Sequence, residues 1–351
     1  MPHVFSSHDP PRVVTDPRWF RYLLLGCQAT TILITWRLWQ TRASPPLLPA
    51  LGLFQFDVGP VLLGSLGLVL MAPRLGVAAH AVALGLAMVL DQSRMQPECV
   101  SLALLMVGTI DSSTCALIAR AHLVALWFFA GFHKLVSARY YLGTVPRMFR
   151  ELVGLGPPWP LIFDLVRAGI ALAEMGLGAM AAVPRTRRIA ALGACAMHLS
   201  IVAYLALRAR VNAAVWPWNV ALAWSGVHFL WDWRSSPAKD LGTATRWARL
   251  AVAGILLSPV GFYAGYVDAF FAHCLFSRNV PRASIVSTDG ISRSIDAYVA
   301  LGVPLPPTQR LFLAYFARAG RPGDRLIVED SRWWLGGKRE WTFEEVSSAA
   351  R

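Results

Sequence analysis

The sequence predicts an all-α polytopic membrane protein, a bundle of about eight or nine transmembrane helices followed by a small α+β tail. Three observations predict it. Apolar residues fill 56% of the 351 positions and charged ones only 15%, with a mean hydropathy of +0.48, whereas a soluble domain carries about a quarter charged residues. Apolar stretches near the ~20 residues that cross a ~30 Å hydrocarbon core follow one another from Trp19 to about His273. From about Ser277 the composition turns mixed, with both charge signs and several prolines.

Residues 1–18 form a polar, proline-bearing N-terminal tail without the basic start and short apolar run of a cleaved signal, so Trp19 to Trp39 reads as a retained span. Spans are expected near 19–40, 51–72, 75–90, 99–118, 115–135, 160–183, 188–208, 212–231 and 247–269. The fourth and fifth overlap, and Asp111-Ser-Ser-Thr114 between them reads as a tight turn whose side chains cap the next helix. Pro- and Arg-rich connectors such as Pro73-Arg74, Arg94 to Pro97 and Pro184 to Arg188 mark the other boundaries. Residues 136–156 read as an interfacial helix. Because Lys134 to Arg150 and Arg185 to Arg188 flank one span and are both basic, the positive-inside rule assigns no orientation. Residues 19–275 thus form the membrane domain and 276–351 a small extramembrane one. In the latter, Ala283 to Val286 and Leu326 to Val328 read as strands, Gln309 to Arg318 as a helix and Trp334 to Trp341 as a Gly-Gly hairpin.

The net charge of +13 sits mainly on arginines between apolar runs, which suits anionic headgroups of the lipid bilayer. No basic helix interleaved with stacking aromatics suggests a nucleic-acid partner. Five scattered cysteines without a C-x-x-C pair speak against a disulfide framework or a metal site and for packing residues.

Ionisable groups inside spans cost about 2.5–3.5 kcal/mol each on insertion scales, so they rank the candidates for function. Asp164, Arg167 and Glu174 share one face of the sixth span and read as an ion-pair ladder, structural or functional. In the fifth span Arg120, Trp127, Gly131 and Lys134 share a face while His122 and His133 share another, so this helix is expected to be surrounded by protein. A desolvated lysine there is a candidate base, against the plainer alternative that Lys134 snorkels to headgroups. His198 in the seventh span reads more readily as a satisfied core histidine than as a proton relay or quinone ligand. In the eighth span Asn212, Trp216 and Asn219 fall on one face beside Pro217, a polar pocket wall or amide glue between helices.

The run Trp127-Phe-Phe-Ala-Gly-Phe-His-Lys-Leu135 resembles the aromatic-aromatic-aromatic-Ala-Gly-x-x-Lys-Leu segment of the HTTM (horizontally transferred transmembrane) family, which includes the membrane portion of vitamin K-dependent gamma-carboxylase. Asp91-Gln-Ser-Arg-Met-Gln-Pro97, and His198 followed by Val215-Trp-Pro-Trp-Asn219, resemble its bacterial branch, so the likeness spans roughly residues 15–275. The resemblance implies a multi-pass protein of a bacterial inner (plasma) membrane. It further implies that Lys134 is the base that deprotonates a quinol, with Glu98 and His198 as further catalytic groups and Arg120, Trp127, His133, Trp216 and Asn219 around a quinone or other lipid-soluble molecule. Glu98 stands where the carboxylase has a histidine, and there is no counterpart of its large lumenal region; both speak against glutamate carboxylation. The expectation is therefore a quinol-linked or carboxylase-like membrane enzyme. The alternative is a transporter or a non-catalytic partner of another membrane protein, although no internal repeat of the transporter kind is present.

Overall fold

In the computed structural model, which describes residues 17–144, 160–209 and 212–349, the chain is mostly helical with one small antiparallel sheet near its C-terminal end. Its main helices, in chain order, are α1 (Pro17–Ile34), α2 (Gly59–Met71), α3 (Pro73–Leu90), α4 (Pro97–Gly108), α5 (Ser113–Leu135), α6 (Pro160–Ala182), α7 (Arg187–Tyr204) and α8 (Val215–Leu230). The short α9 (Pro237–Thr243) and the amphipathic α10 (Arg246–Leu257) follow. Among the described residues, four helical stretches are long and apolar enough to cross a membrane: Pro73–Leu90, Ser113–Leu135, Leu165–Ala182 and Arg187–Leu207.

Each expected span meets a helix, but several end early, for local reasons. In the first, the hydroxyls of Thr31 and Thr35 donate to the carbonyls of Cys27 and Thr31, and the helix gives way to a tighter turn at Trp36–Trp39. The second starts at Gly59 with Pro60 in its first turn rather than at 51. The fourth stops at Gly108, not 118, and Ser112 caps α5 by accepting from the Cys115 N–H, as the turn at Asp111–Thr114 requires. The last ends at Leu257, not 269, where Pro259 opens a short tight turn and an irregular segment follows. The expected interfacial helix begins with a wide turn at Tyr140–Thr144, and the rest of it lies outside the described residues. Asn212 precedes α8 with a left-handed backbone (φ 54°), so it does not share a helical face with Trp216 and Asn219.

Helix α5 is the most buried of the four long helices and packs against α4, α6, α8 and α10. Two glycines let α6 come close: a Cβ on Gly131 would stand 2.3 Å from the Met175 backbone N, and one on Gly178 would stand 2.5 Å from that of Phe128. Small residues at a crossing let packing replace the hydrophobic drive that a lipid solvent lacks.

At the end of the bundle where α5 finishes, the tail docks. Its sheet has the order β2 (Ser292–Ser294), β1 (Arg282–Val286), β3 (Arg325–Glu329), β4 (Lys338–Thr342), all antiparallel. Strands β3 and β4 are joined through Gly336 and Gly337, both at positive φ (113° and 57°). The short α11 (Tyr298–Leu301), α12 (Gln309–Ala319) and α13 (Phe343–Ala349) complete it. Ile285, Leu301, Phe312, Phe316 and Leu326 belong to the same apolar cluster as the bundle residues Leu24, Leu62, Leu102 and Leu222, so tail and helices share one core.

Candidate functional site

The last turns of α5 place chemistry on opposite sides of one helix. Successive residues are rotated by about 100°, so His133 and Lys134 part company. Toward α6, Lys134 Nζ donates to Glu174 Oε2 at 2.5 Å and, at 3.5 Å, to the Ala130 carbonyl. Both side chains are withdrawn from solvent, with 6% and 7% of their residues' surface exposed. The close approach at Gly131 seats this pair, because it brings the Ala171–Met175 turn of α6 against α5. The Glu174 carboxylate thus reaches across to the neighbouring helix. The side chain of Asp164 lies outside the described residues.

Toward the tail, His133 is fully buried, its Nε2 donating to the Ala272 carbonyl at 2.7 Å and its Nδ1 2.8 Å from the Tyr263 hydroxyl. The Asn279 amide lies 3.5 Å from the same hydroxyl and accepts from Ser331 at 2.8 Å, so a polar chain runs from α5 into the tail. His133 thus ties the end of α5 to the tail.

Two turns deeper, on the lysine's face and roughly 10 Å along the axis, lies a second chain of hydrogen bonds. Trp127 Nε1 donates to His198 Nε2 at 3.0 Å, His198 Nδ1 faces Asn219 Oδ1 at 2.8 Å, and Asn219 Nδ2 donates to the Val215 carbonyl at 2.8 Å. An indole N–H can only donate, so the imidazole proton sits on Nδ1 and goes to Asn219. Every polar atom of the His198 ring is satisfied. This is the satisfied core histidine of the plainer reading, with its partners now named. Gly226 makes room for it, since a Cβ there would meet the Trp127 ring at 3.3 Å.

The other expected site residues stand apart. Arg120 shares the face of Lys134 but lies 14 residues away, roughly 21 Å along the axis, where it donates to the Phe229 carbonyl at 3.0 Å and covers the Trp233 ring at 4.6 Å. Glu98 is buried in the first turn of α4, its carboxyl turned back on its own N–H, and no hydrogen bond or ion pair among the described residues joins it to Lys134 or His198. Trp216 packs half-buried against the main core. His122, on the second polar face of α5, bonds Ser101 at 2.7 Å.

Two buried polar groups carry no sequence signal that singles them out. His80 on α3 lies 2.9 Å from Ser65 on α2 and 3.2 Å from Gln28 on α1, tying three helices together. Asp91, noted only within a motif, is the hub of a knot. Its carboxylate accepts from the Leu48 and Ser93 N–H groups, the Ser93 hydroxyl and Arg42, the last at 2.6 Å, with Arg94 at 3.7 Å. Comparison of the chain with protein-family models, characterised proteins and solved structures gave no match.

Proposed function

We propose that the chain is a multi-pass membrane enzyme of the HTTM type acting on a quinol or another lipid-soluble substrate, with the Lys134–Glu174 pair as its proton-accepting centre. The observation that carries this reading is the pair itself: an ammonium and a carboxylate at 2.5 Å, both buried, in helices apolar enough to cross a membrane. Such a pair holds one exchangeable proton between two sites. A quinol hydroxyl gives its proton to Lys134 Nζ as the ammonium passes one of its own to Glu174 Oε2, leaving an ammonium, a carboxylic acid and a quinolate until Glu174 passes its proton on. Trp127, His198 and Asn219 hold the neighbouring helices in place, and Glu98 and Arg120 take no part in the pair.

The shorter apolar helices Gly59–Met71 and Pro97–Gly108 pack beside the long ones, which supports further crossings up to eight or nine, and the motif resemblance supports the inner membrane of a bacterium. The test is quinol binding and turnover by the purified chain in lipid nanodiscs. Lys134→Ala is expected to cut turnover by roughly 10²–10⁴-fold, the range for loss of a positioned base. Lys134→Arg should fail equally, since a guanidinium does not give up its proton. The reading is abandoned if the chain neither binds nor alters quinols and Lys134→Ala keeps the cellular phenotype. Glu174 also motivates a second reading, a carrier; solute flux in proteoliposomes that needs Glu174 but not Lys134 would favour it.

A further inference from the structure

At the end of the bundle opposite the tail, α7 begins and α8 ends around a cavity of about 410 Å³. Its lining includes Arg185, Arg187, Arg188, Trp231, Trp233 and Arg234, and no acidic residue. Arg187 is buried and its donors are consumed. Nη1 bonds the Trp233 and Ser235 carbonyls, both at 2.7 Å, Nε bonds the Ala181 carbonyl at 3.1 Å, and the guanidinium lies 3.3 Å from the centre of the Trp233 ring. This arginine builds the wall and leaves its charge there. Arg185, Arg188 and Arg234 are exposed. Arg188 makes one long bond, 3.4 Å to the Trp231 carbonyl, and stands 5.1 Å over that residue's ring. Four arginines surround one cavity with no acid in its wall; nearby Asp240 offsets part of the Arg187 charge, and the three exposed arginines make the mouth attractive to an anion.

The neighbouring surface indicates what carries that anion. From the arginines a stripe of exposed apolar side chains runs along α7: Ile189, Leu192 and Leu199, at 62%, 57% and 44% exposure. Offsets of three and ten residues keep them on one face of the helix. A soluble anion has no use for such a stripe, whereas an acyl chain lies along it. Tryptophans at the level of the arginines suit the headgroup zone.

We infer that this cavity binds the phosphodiester headgroup of an anionic phospholipid, with Arg185, Arg188 and Arg234 as its contacts and the Ile189–Leu199 stripe as the track for an acyl chain. The site lies at the other end of the bundle from the Lys134–Glu174 pair. It rests on the membrane part of the proposed function and not on the chemistry.

The experiment titrates the full purified chain in detergent with phosphatidylglycerol, phosphatidylcholine and inorganic phosphate, reading bound lipid by native mass spectrometry. Phosphatidylglycerol is expected to bind at least tenfold more tightly than phosphatidylcholine and to weaken as salt rises. Binding should weaken by on the order of a hundredfold when Arg185, Arg188 and Arg234 are all changed to Gln, at roughly fivefold per arginine. Changing the same three to Lys should keep the affinity within a few-fold, and Arg74→Gln with Arg246→Gln and Arg249→Gln, an equal loss of exposed charge elsewhere, should leave it unchanged. Equal binding of phosphatidylcholine, salt-independent binding, or full affinity in the triple Gln variant overturns the site. Displacement of the lipid by equimolar inorganic phosphate overturns the lipid as the ligand. Should the Gln variant fail to fold, the Lys variant and the salt titration of the unaltered chain still decide. Release of the chain from membranes by alkaline washing would instead sink the membrane reading itself.

Discussion

Asp91 and Glu174 are both carboxylates withdrawn from solvent and facing cations, yet they are satisfied very differently. Asp91 accepts two backbone N–H groups, a serine hydroxyl and Arg42, while Arg42 and Arg94 spend their remaining donors on the Leu38, Gln40, Pro45 and Ala87 carbonyls. Charge there is used to finish helix ends and to fasten the 38–48 stretch. Among the described residues, the Lys134 ammonium makes one short bond to Glu174 and one of 3.5 Å to the Ala130 carbonyl. The first cluster ties loops to helix ends through many donors; the second ties two helices together through one ion pair.

Three sets of variants put that contrast at risk. The largest effect is expected from Asp91→Ala, which leaves Arg42 and Arg94 uncompensated in the interior and should cost about 3–5 kcal/mol, read as a large fall in thermal midpoint in detergent. A mild effect there would mean that the knot is not structural. Next comes Gly131→Ala, which drives a methyl into the backbone of α6 and should cost about 1–3 kcal/mol. Gly169→Ala on the same helix α6 meets nothing within 4 Å and should be neutral or slightly stabilising. The smallest effect on stability is expected from replacing Lys134 and Glu174 together by Met and Leu. Removing both members of a buried pair is often near neutral, whereas removing one strands the other. The double variant should therefore melt above either single one while remaining inactive.

Much of the bundle is legible in the sequence because apolar runs and capping residues are local: each expected span meets a helix, and the turn at Ser112 and the two β-tail strands stand where their residues put them. What is not legible is which helices touch. Face analysis groups Arg120 with Lys134 correctly in angle, yet 14 residues of rise separate them. It also reads Glu174 along its own helix and gives no sign that its carboxylate meets Lys134 across an interface. The signal that could have found that interface is Gly131 on α5 together with Gly178 on α6, one turn beyond Glu174: two positions that leave room for backbone against backbone. His198 shows the same limit. Its partners Trp127 and Asn219 lie 71 and 21 residues away, beyond any periodicity.

The shared core of tail and helices has a consequence for how the protein is made. Leu301, Phe312, Phe316 and Leu326 leave the ribosome only after the helices whose apolar cluster they join. Until they arrive, that end of the bundle waits with its oily surface uncovered, open to the wrong partner as well as the right one. Shortening the chain before residue 282 would make that transient condition permanent, and the quality-control machinery of the cell would meet a finished set of helices without its cap.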